Sequence, residues 1–333
     1  MPAAHTSSSI LRVAIAGCGR VAGAPDEGGK VLATNHAIAA RECSNVALVA
    51  ASDRDASRTK RFCDYWGIPA AYQDVALMCR DARVDLLVVA TPPETHEAVC
   101  LQGLAAGVRG LLCEKPFTGT HDGALRILNA AKAARVPVVA NFMRRWDSSH
   151  QAVAARIAGG ELGELRAVQA VYTGTLRGNG AHLFDTLGMM VDAALPPASK
   201  WSVLARTNPT STWVDPPLSV TMLRDGCVAQ AIALAGAAYF AYEMQLFGTK
   251  GRVRLLRSGN DIRFDWPARN DSYPDHLHLE RVERLPRDTL PQSFSRALAG
   301  LRDAVLANDA TSKIAHEHVR TLALIDELAT PPR

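Results

Sequence analysis

Apolar residues in the first 140 positions arrive as short unbroken runs: Arg12-Val13-Ala14-Ile15-Ala16, Val46-Ala47-Leu48-Val49-Ala50, Leu86-Leu87-Val88-Val89-Ala90, Gly110-Leu111-Leu112-Cys113 and Pro137-Val138-Val139-Ala140. A strand with one wet face alternates apolar and polar residues, whereas a strand buried on both faces does not. Stretches of helical pattern separate the runs, over 55–66, 94–106 and 120–134. Strand and helix in alternation predict an α/β unit, a doubly wound parallel sheet with helices on both faces.

After Asn141 the rhythm changes. A helix is expected over 149–158, ending at Gly159-Gly160, where left-handed backbone commonly follows a helix. A strand over 165–173 and a helix over 181–194 come next. Five β-rich stretches then follow without helices between them, at 201–204, 218–222, 228–234, 243–247 and 252–256. Consecutive strands predict a large mixed or antiparallel open sheet, hence an α+β half. Helices over 290–306 and 312–328 close the chain. Its 333 residues exceed what one hydrophobic core usually organises. Two domains are therefore expected, 1–141 and 142–333, with the closing helices able to pack back on the first. No low-complexity linker separates them.

Composition narrows the function classes. With 48% hydrophobic and 21% charged residues the chain is a folding one, and a net charge of +4 is too mild and too dispersed to argue for nucleic acid. No apolar run reaches the ~20 residues of a membrane-spanning helix. The start, Pro2-Ala3-Ala4-His5-Thr6-Ser7, lacks the charged-then-apolar order of a signal peptide, so a cytoplasmic location is expected. The seven cysteines form no C-x-x-C pair and no cluster with histidine; buried, reduced thiols and no metal are the expectation.

Gly17-Cys18-Gly19-Arg20-Val21-Ala22 follows the first run directly, a G-x-G-x-x-A turn. The first glycine permits the tight turn and the second lets backbone approach a pyrophosphate. The small third residue lets helix and strand pack, while the helix N-terminus offers free N–H groups to the anion. This marks the first domain as a Rossmann domain for NAD(P). The second run leads to Asp53-Arg54, where a carboxylate can accept from both adenosine ribose hydroxyls. Asp53 favours NAD, and Arg54 keeps NADP open by offering a partner for a 2′-phosphate; the plainer role for Asp53 is a helix N-cap. Residues 24–30 look like a loop inserted before the first helix resumes near Thr34-Asn35-His36. Thr91, Pro92 and Pro93 should wall the cofactor groove, and His96 either joins them or caps the next helix.

The run 111–113 passes straight into Glu114-Lys115-Pro116. Charges at the carboxyl end of a buried strand face the ligand crevice of such sheets. A lysine beside a nicotinamide can donate to a carbinol or carbonyl oxygen; a surface Glu–Lys pair is the plainer alternative.

Taken in order, the glycine turn, Thr91-Pro92-Pro93 with His96, Glu114-Lys115-Pro116, Asn141-Phe142-Met143-Arg144-Arg145-Trp146 and Gly180-Ala181-His182-Leu183-Phe184-Asp185 resemble the Gfo/Idh/MocA oxidoreductases, typified by glucose-fructose oxidoreductase and inositol dehydrogenase. The resemblance implies hydride transfer between NAD(P) and a sugar, nucleotide-sugar or polyol. It implies Lys115 and His182 as the acid–base pair, with a cis bond before Pro116. Gly17, Gly19, Arg20, Val21, Asp53, Arg54, Thr91, Pro92, His96, Glu114, Lys115, Asn141 and Arg144 would serve the cofactor. Lys115, Arg144, Asn179, His182 and Asp185 would serve the substrate. A homodimer or homotetramer is expected on the same ground. One departure stands out, since family members often carry an aspartate four residues before this histidine, where this chain has Gly178. Asp185, one helical turn after His182, is a candidate to orient the imidazole, or to pair structurally. Two rival readings remain: a dinucleotide-binding regulatory protein without turnover, and an enzyme using tightly held NAD for net epimerisation, elimination or hydrolysis.

Overall fold

The computed structural model describes residues 10–195, 200–210, 212–273, 275–311 and 313–331. Residues 2–7, where the absence of a signal peptide is expected, lie outside this range, as does Ser312 at the expected start of the last helix. The chain forms two compact units: residues up to Met143 together with Pro291–Val319, and Arg144–Leu290 together with residues from Arg320 on.

The first unit is built on six parallel strands in the order β3-β2-β1-β4-β5-β6. The unbroken apolar runs become β1 (Leu11–Ala16), β2 (Val46–Ser52), β4 (Leu86–Val89), β5 (Gly110–Cys113) and β6 (Val138–Ala140). Every residue of β4 and β5 is buried, which is why these runs carry no polar alternation. The pattern misses β3 (Ala70–Tyr72) and α3 (Val75–Asp81), because a three-residue edge strand that is only half-buried has no apolar run to show. The strand order reverses between β1 and β4, the place where sheets of this kind open a crevice at their carboxyl ends. Helices α1 (His36–Glu42), α2 (Ala56–Trp66), α4 (His96–Ala105), α5 (His121–Ala134) and α8 (Ser293–Leu306) complete the unit.

The glycine turn gives one helical turn, with Gly23 N and Ala24 N donating to Gly19 O, and then the chain leaves the axis. It returns at Asn35, whose side chain caps α1 by accepting from Ile38 N. His36 N and Ala37 N then donate to Val21 O and Ala22 O. The first helix is thus interrupted by an excursion longer than the 24–30 segment expected from sequence, and its hydrogen bonds are taken up again beyond it.

The second unit carries eight strands in the order β14-β13-β12-β11-β7-β10-β9-β8. They are β7 (Leu165–Tyr172), β8 (Ser202–Thr207), β9 (Ser219–Arg224), β10 (Cys227–Ala233), β11 (Tyr242–Gly248), β12 (Arg252–Leu256), β13 (Asp261–Arg269) and β14 (Leu277–Arg284). β10 lies parallel to β7 and the other pairs are antiparallel, a mixed sheet. β13 and β14 escape the sequence reading, as β14 is exposed at every position and alternates nothing. α6 (Ser148–Ala158) and α7 (Ala181–Ala194) belong here, and α9 (Lys313–Ala329) runs through the division between the units. Among the described residues no helix is long and apolar enough to cross a membrane. All seven cysteines are buried and unbridged.

Candidate active site

Gly17 ends β1 with φ +93°, and a Cβ there would stand 2.5 Å from Ala90 O, so the turn admits no side chain at that point. A Cβ on Gly19 would meet nothing within 4 Å, which leaves open space above the second glycine. Among the described residues no chain group accepts from the amides of Gly19, Arg20 and Val21. Three free N–H groups at a helix start beside open space form an anion cradle. Ala22 is fully buried, as close helix–strand packing requires.

Asp53 lies just beyond β2 and braces this turn: Oδ2 accepts from Cys18 N at 3.0 Å and Oδ1 from Asp55 N at 3.0 Å. The N-cap of α2 is Asp55, which accepts from Ser57 N and Arg58 N, so the plainer role considered for Asp53 falls to its neighbour. Asp53, Arg54, Arg58, Thr91, Pro92 and Thr95 line part of a cavity of about 330 Å³. Arg58, 3.7 Å from Asp53 Oδ2, was missed in the sequence; its signal is position, one turn into the helix that starts at this strand end. Burial, then the nearby Asp53 charge, pushes the Cys18 thiol up to about 12, so this cysteine in the glycine turn is no nucleophile.

Glu114 and His96, both expected at the cofactor surface, are instead committed inside the first unit. Glu114 is buried, with Oε1 on His36 Nε2 at 2.8 Å and accepting from Asn141 Nδ2 at 2.6 Å, while Oε2 accepts from Lys115 N at 3.1 Å. Burial raises its carboxyl, but His36, Asn141 and the Lys115 amide outweigh burial and hold it below the usual carboxylate range. His96 is 0% exposed, its ring nitrogens each 2.8 Å from a backbone carbonyl, Nδ1 at Pro116 and Nε2 at Thr91. A side chain enclosed this way has no face left for a ligand. His36 was not foreseen, because its partner is distant in sequence. Lys115 stands half-buried at the carboxyl end of β5, and the bond to Pro116 is cis. Asn141 is 1% exposed and among the described residues its Oδ1 has no hydrogen-bond partner, an acceptor still to be satisfied beside the Glu114 network.

In the second unit, His182 occupies the first turn of α7, half-buried, and its carbonyl accepts from Tyr242 Oη at 3.0 Å. A single π-helical turn, Leu176–Gly180, precedes it, a feature often found at functional sites. Gly178 lies in that turn, where a Cβ would come 2.8 Å from Thr175 Oγ1, the atom that accepts from Gly178 N. Asn179 donates from Nδ2 to Thr173 O at 2.7 Å. Asp185 was expected to face substrate; it is 0% exposed, and both oxygens accept from Arg145 Nε at 3.0 and 2.8 Å. Arg144, expected beside the nicotinamide or substrate, has its guanidinium carbon 3.6 Å from the centre of the Tyr242 ring and donates from Nη2 to Ser258 O, and it is 6% exposed.

The family model described as "Oxidoreductase family, NAD-binding Rossmann fold" (GFO_IDH_MocA) matches residues 11–142. The chain is 31% identical over 266 residues to a dTDP-3,4-didehydro-2,6-dideoxy-alpha-D-glucose 3-reductase of Streptomyces antibioticus, spanning 74% of each chain. It is 27% identical over 223 residues to inositol 2-dehydrogenase 1 of Saccharopolyspora erythraea, 62% of this chain and 66% of the relative. In fold it is similar to the 3-ketoreductase KijD10 of Actinomadura kijaniata, solved with NADP and TDP-benzene, with a TM-score of 0.76, 20% identity and 96% of both chains covered.

Proposed function

The chain belongs to the Gfo/Idh/MocA oxidoreductase family, and from that premise we propose that it transfers a hydride between the nicotinamide of NAD(P) and a secondary hydroxyl or carbonyl carbon of a sugar, nucleotide-sugar or polyol. Lys115 and His182 exchange the proton. The observation that carries the reading is the turn from Gly17 to Val21: side chains excluded at the first glycine, open space at the second, three unused amides, and a carboxylate bracing the turn from the next strand.

The nicotinamide supplies the hydride donor or acceptor when bound, and the chain supplies placement and proton transfer. Free amides of Gly19, Arg20 and Val21 hold the pyrophosphate. Asp53 uses one acceptor position on each oxygen for backbone, and a carboxylate has about four in all, so room remains for two ribose hydroxyls. That favours NAD. Arg54 and Arg58 beside the same cavity give a 2′-phosphate two cationic partners, which admits NADP. In the reducing direction the Lys115 ammonium would donate its proton to the oxygen on the reacting carbon and His182 would return a proton to the lysine, and in the oxidising direction both transfers would reverse. With Gly178 in place of an aspartate, no carboxylate at that position assists. A keto group on a nucleotide-sugar is the preferred substrate, supported by the name of the 31% identical relative. A homodimer or homotetramer in the cytoplasm completes the proposal.

The test is spectroscopic. Purified protein is scanned for bound NADH, then assayed for NADH and NADPH oxidation with 3-keto nucleotide-sugars and for NAD⁺ reduction with sugars and inositols. Net change in nicotinamide absorbance with one of these classes is expected. Bound cofactor that stays unchanged with every class, with the sugars recovered unaltered, would leave a dinucleotide-binding protein without turnover, whereas altered sugars beside unchanged cofactor would mark an enzyme that recycles tightly held NAD.

A further inference from the structure

We propose that His96 is a positioning residue, tying the turn that walls the dinucleotide cavity to the turn that carries Lys115. The proposal rests on the proton-transfer role of Lys115.

The two turns leave neighbouring strands, since β4 and β5 pair up to Val89 and Cys113. Each then runs into proline, Thr91-Pro92-Pro93 on one side and Lys115-Pro116 on the other. No backbone N–H among the described residues donates to Thr91 O. Its brace comes from His96 at the start of α4, with Nε2 2.8 Å from Thr91 O and Nδ1 2.8 Å from Pro116 O. Both partners are carbonyl oxygens, which only accept, so holding both takes an N–H on each ring nitrogen, while a ring with a single N–H donates to one carbonyl and only abuts the other. One planar ring therefore fixes the spacing between the two turns. Thr95 adds a second tie on the cavity side, donating from Oγ1 to Thr91 Oγ1 at 2.8 Å. Thr91 and Pro92 line the cavity while His96 does not, and the ring is fully buried. Its influence on a ligand must pass through the two backbones it holds.

Asparagine and glutamine separate the two arms. The amide of Asn reaches the place of Nδ1 and that of Gln the place of Nε2. His96→Asn keeps the bond to Pro116 and leaves Thr91 O without a donor. The dissociation constant for NADH, read by nicotinamide fluorescence, should rise roughly tenfold with kcat within about twofold, the expected scale for one buried acceptor left unmet. His96→Gln keeps the Thr91 bond and frees the Lys115 turn; kcat should fall roughly tenfold with NADH binding within about twofold. Two variants that behave alike, or that change neither quantity, would overturn the proposal. So would loss of the fold in both, seen by circular dichroism and melting, which would make the ring a core stabiliser. The NADH titration needs no turnover. If Lys115→Met keeps full activity, the proton-transfer reading fails, while the cavity arm still stands or falls on NADH binding to His96→Asn.

Discussion

Two polar regions of this molecule look equally promising in the sequence and differ in what their charges do. In the first unit, the turn Gly17–Val21 keeps amides without partners among the described residues, and Asp53 keeps acceptor positions in reserve where it lines a cavity of about 330 Å³. In the second unit, the stretch from Arg144 to His150 and Asp185 is as rich in charge, yet its charged groups are buried and each has a neighbour within the unit, although among the described residues Arg144 Nε and His150 Nε2 keep no hydrogen-bond partner. Arg145 holds Asp185, Asp147 Oδ2 holds His150 Nδ1 at 2.6 Å, and Arg144 packs on Tyr242. Ionic groups that satisfy each other inside a unit stabilise or specify its fold; groups left with unused donors and acceptors beside open space are available to a ligand.

The contrast is sharpest in activity. Lys115→Met should lower turnover by ~10²–10⁴, the usual contribution of a positioned acid or base, and leave NADH affinity within about threefold. Steady-state rates beside a fluorescence titration check both halves, and retained turnover would erase the distinction. Next in size, Arg145→Ala leaves the Asp185 carboxylate buried without this partner and should cost about 3–5 kcal/mol of stability, read by denaturant or thermal melting. If that variant melts like the parent, the charges of the second region do not hold its fold together.

Asp53→Ala sets the reverse expectation. NAD binding should weaken roughly tenfold, about 1.4 kcal/mol, with NADP affected far less. Equal losses for both cofactors would assign Asp53 to bracing the glycine turn through Cys18 N rather than to the ribose.

The smallest effect is a pH dependence. Burial, then the Arg144 charge, holds the His150 ring below its ordinary value of 6.5, against the pull of Asp147. The unfolded ring therefore takes a proton at higher pH than the folded one, so this contribution is complete above 6.5 and declines as the pH falls towards the folded value. Asp147 is also held low, by His150 and Thr289 against burial, but its contribution is lost only as the pH falls below 3.8. The melting temperature should drop between pH 7.5 and 5.5, and the drop should shrink in His150→Gln. An unchanged slope in that variant would place the acid sensitivity elsewhere.

Much of the first unit was legible because both-face burial writes itself into a strand as an unbroken apolar run, as in Leu86–Val89. The three-residue β3 and the fully exposed β14 leave no such trace. The glycine turn was legible for a related reason: Gly17 is dictated by the nearness of Ala90 O, a backbone constraint that only one residue type meets. Chemistry-bearing side chains are harder. Glu114, His96, Arg144 and Asp185 were picked out by type and place, and nothing local in the sequence announces the partners that enclose them. His36 lies 78 residues from Glu114 and Arg145 lies 40 from Asp185. A motif shows that a polar group is present, and only the fold shows whether it is already in use.

The decisive measurement is a structure of this chain with NADH bound. The pyrophosphate is expected on the amides of Gly19, Arg20 and Val21, the adenosine ribose on Asp53, and the nicotinamide within reach of the Lys115 ammonium. A dinucleotide seated away from that turn, or a nicotinamide beyond the reach of Lys115, would contradict the proposed function.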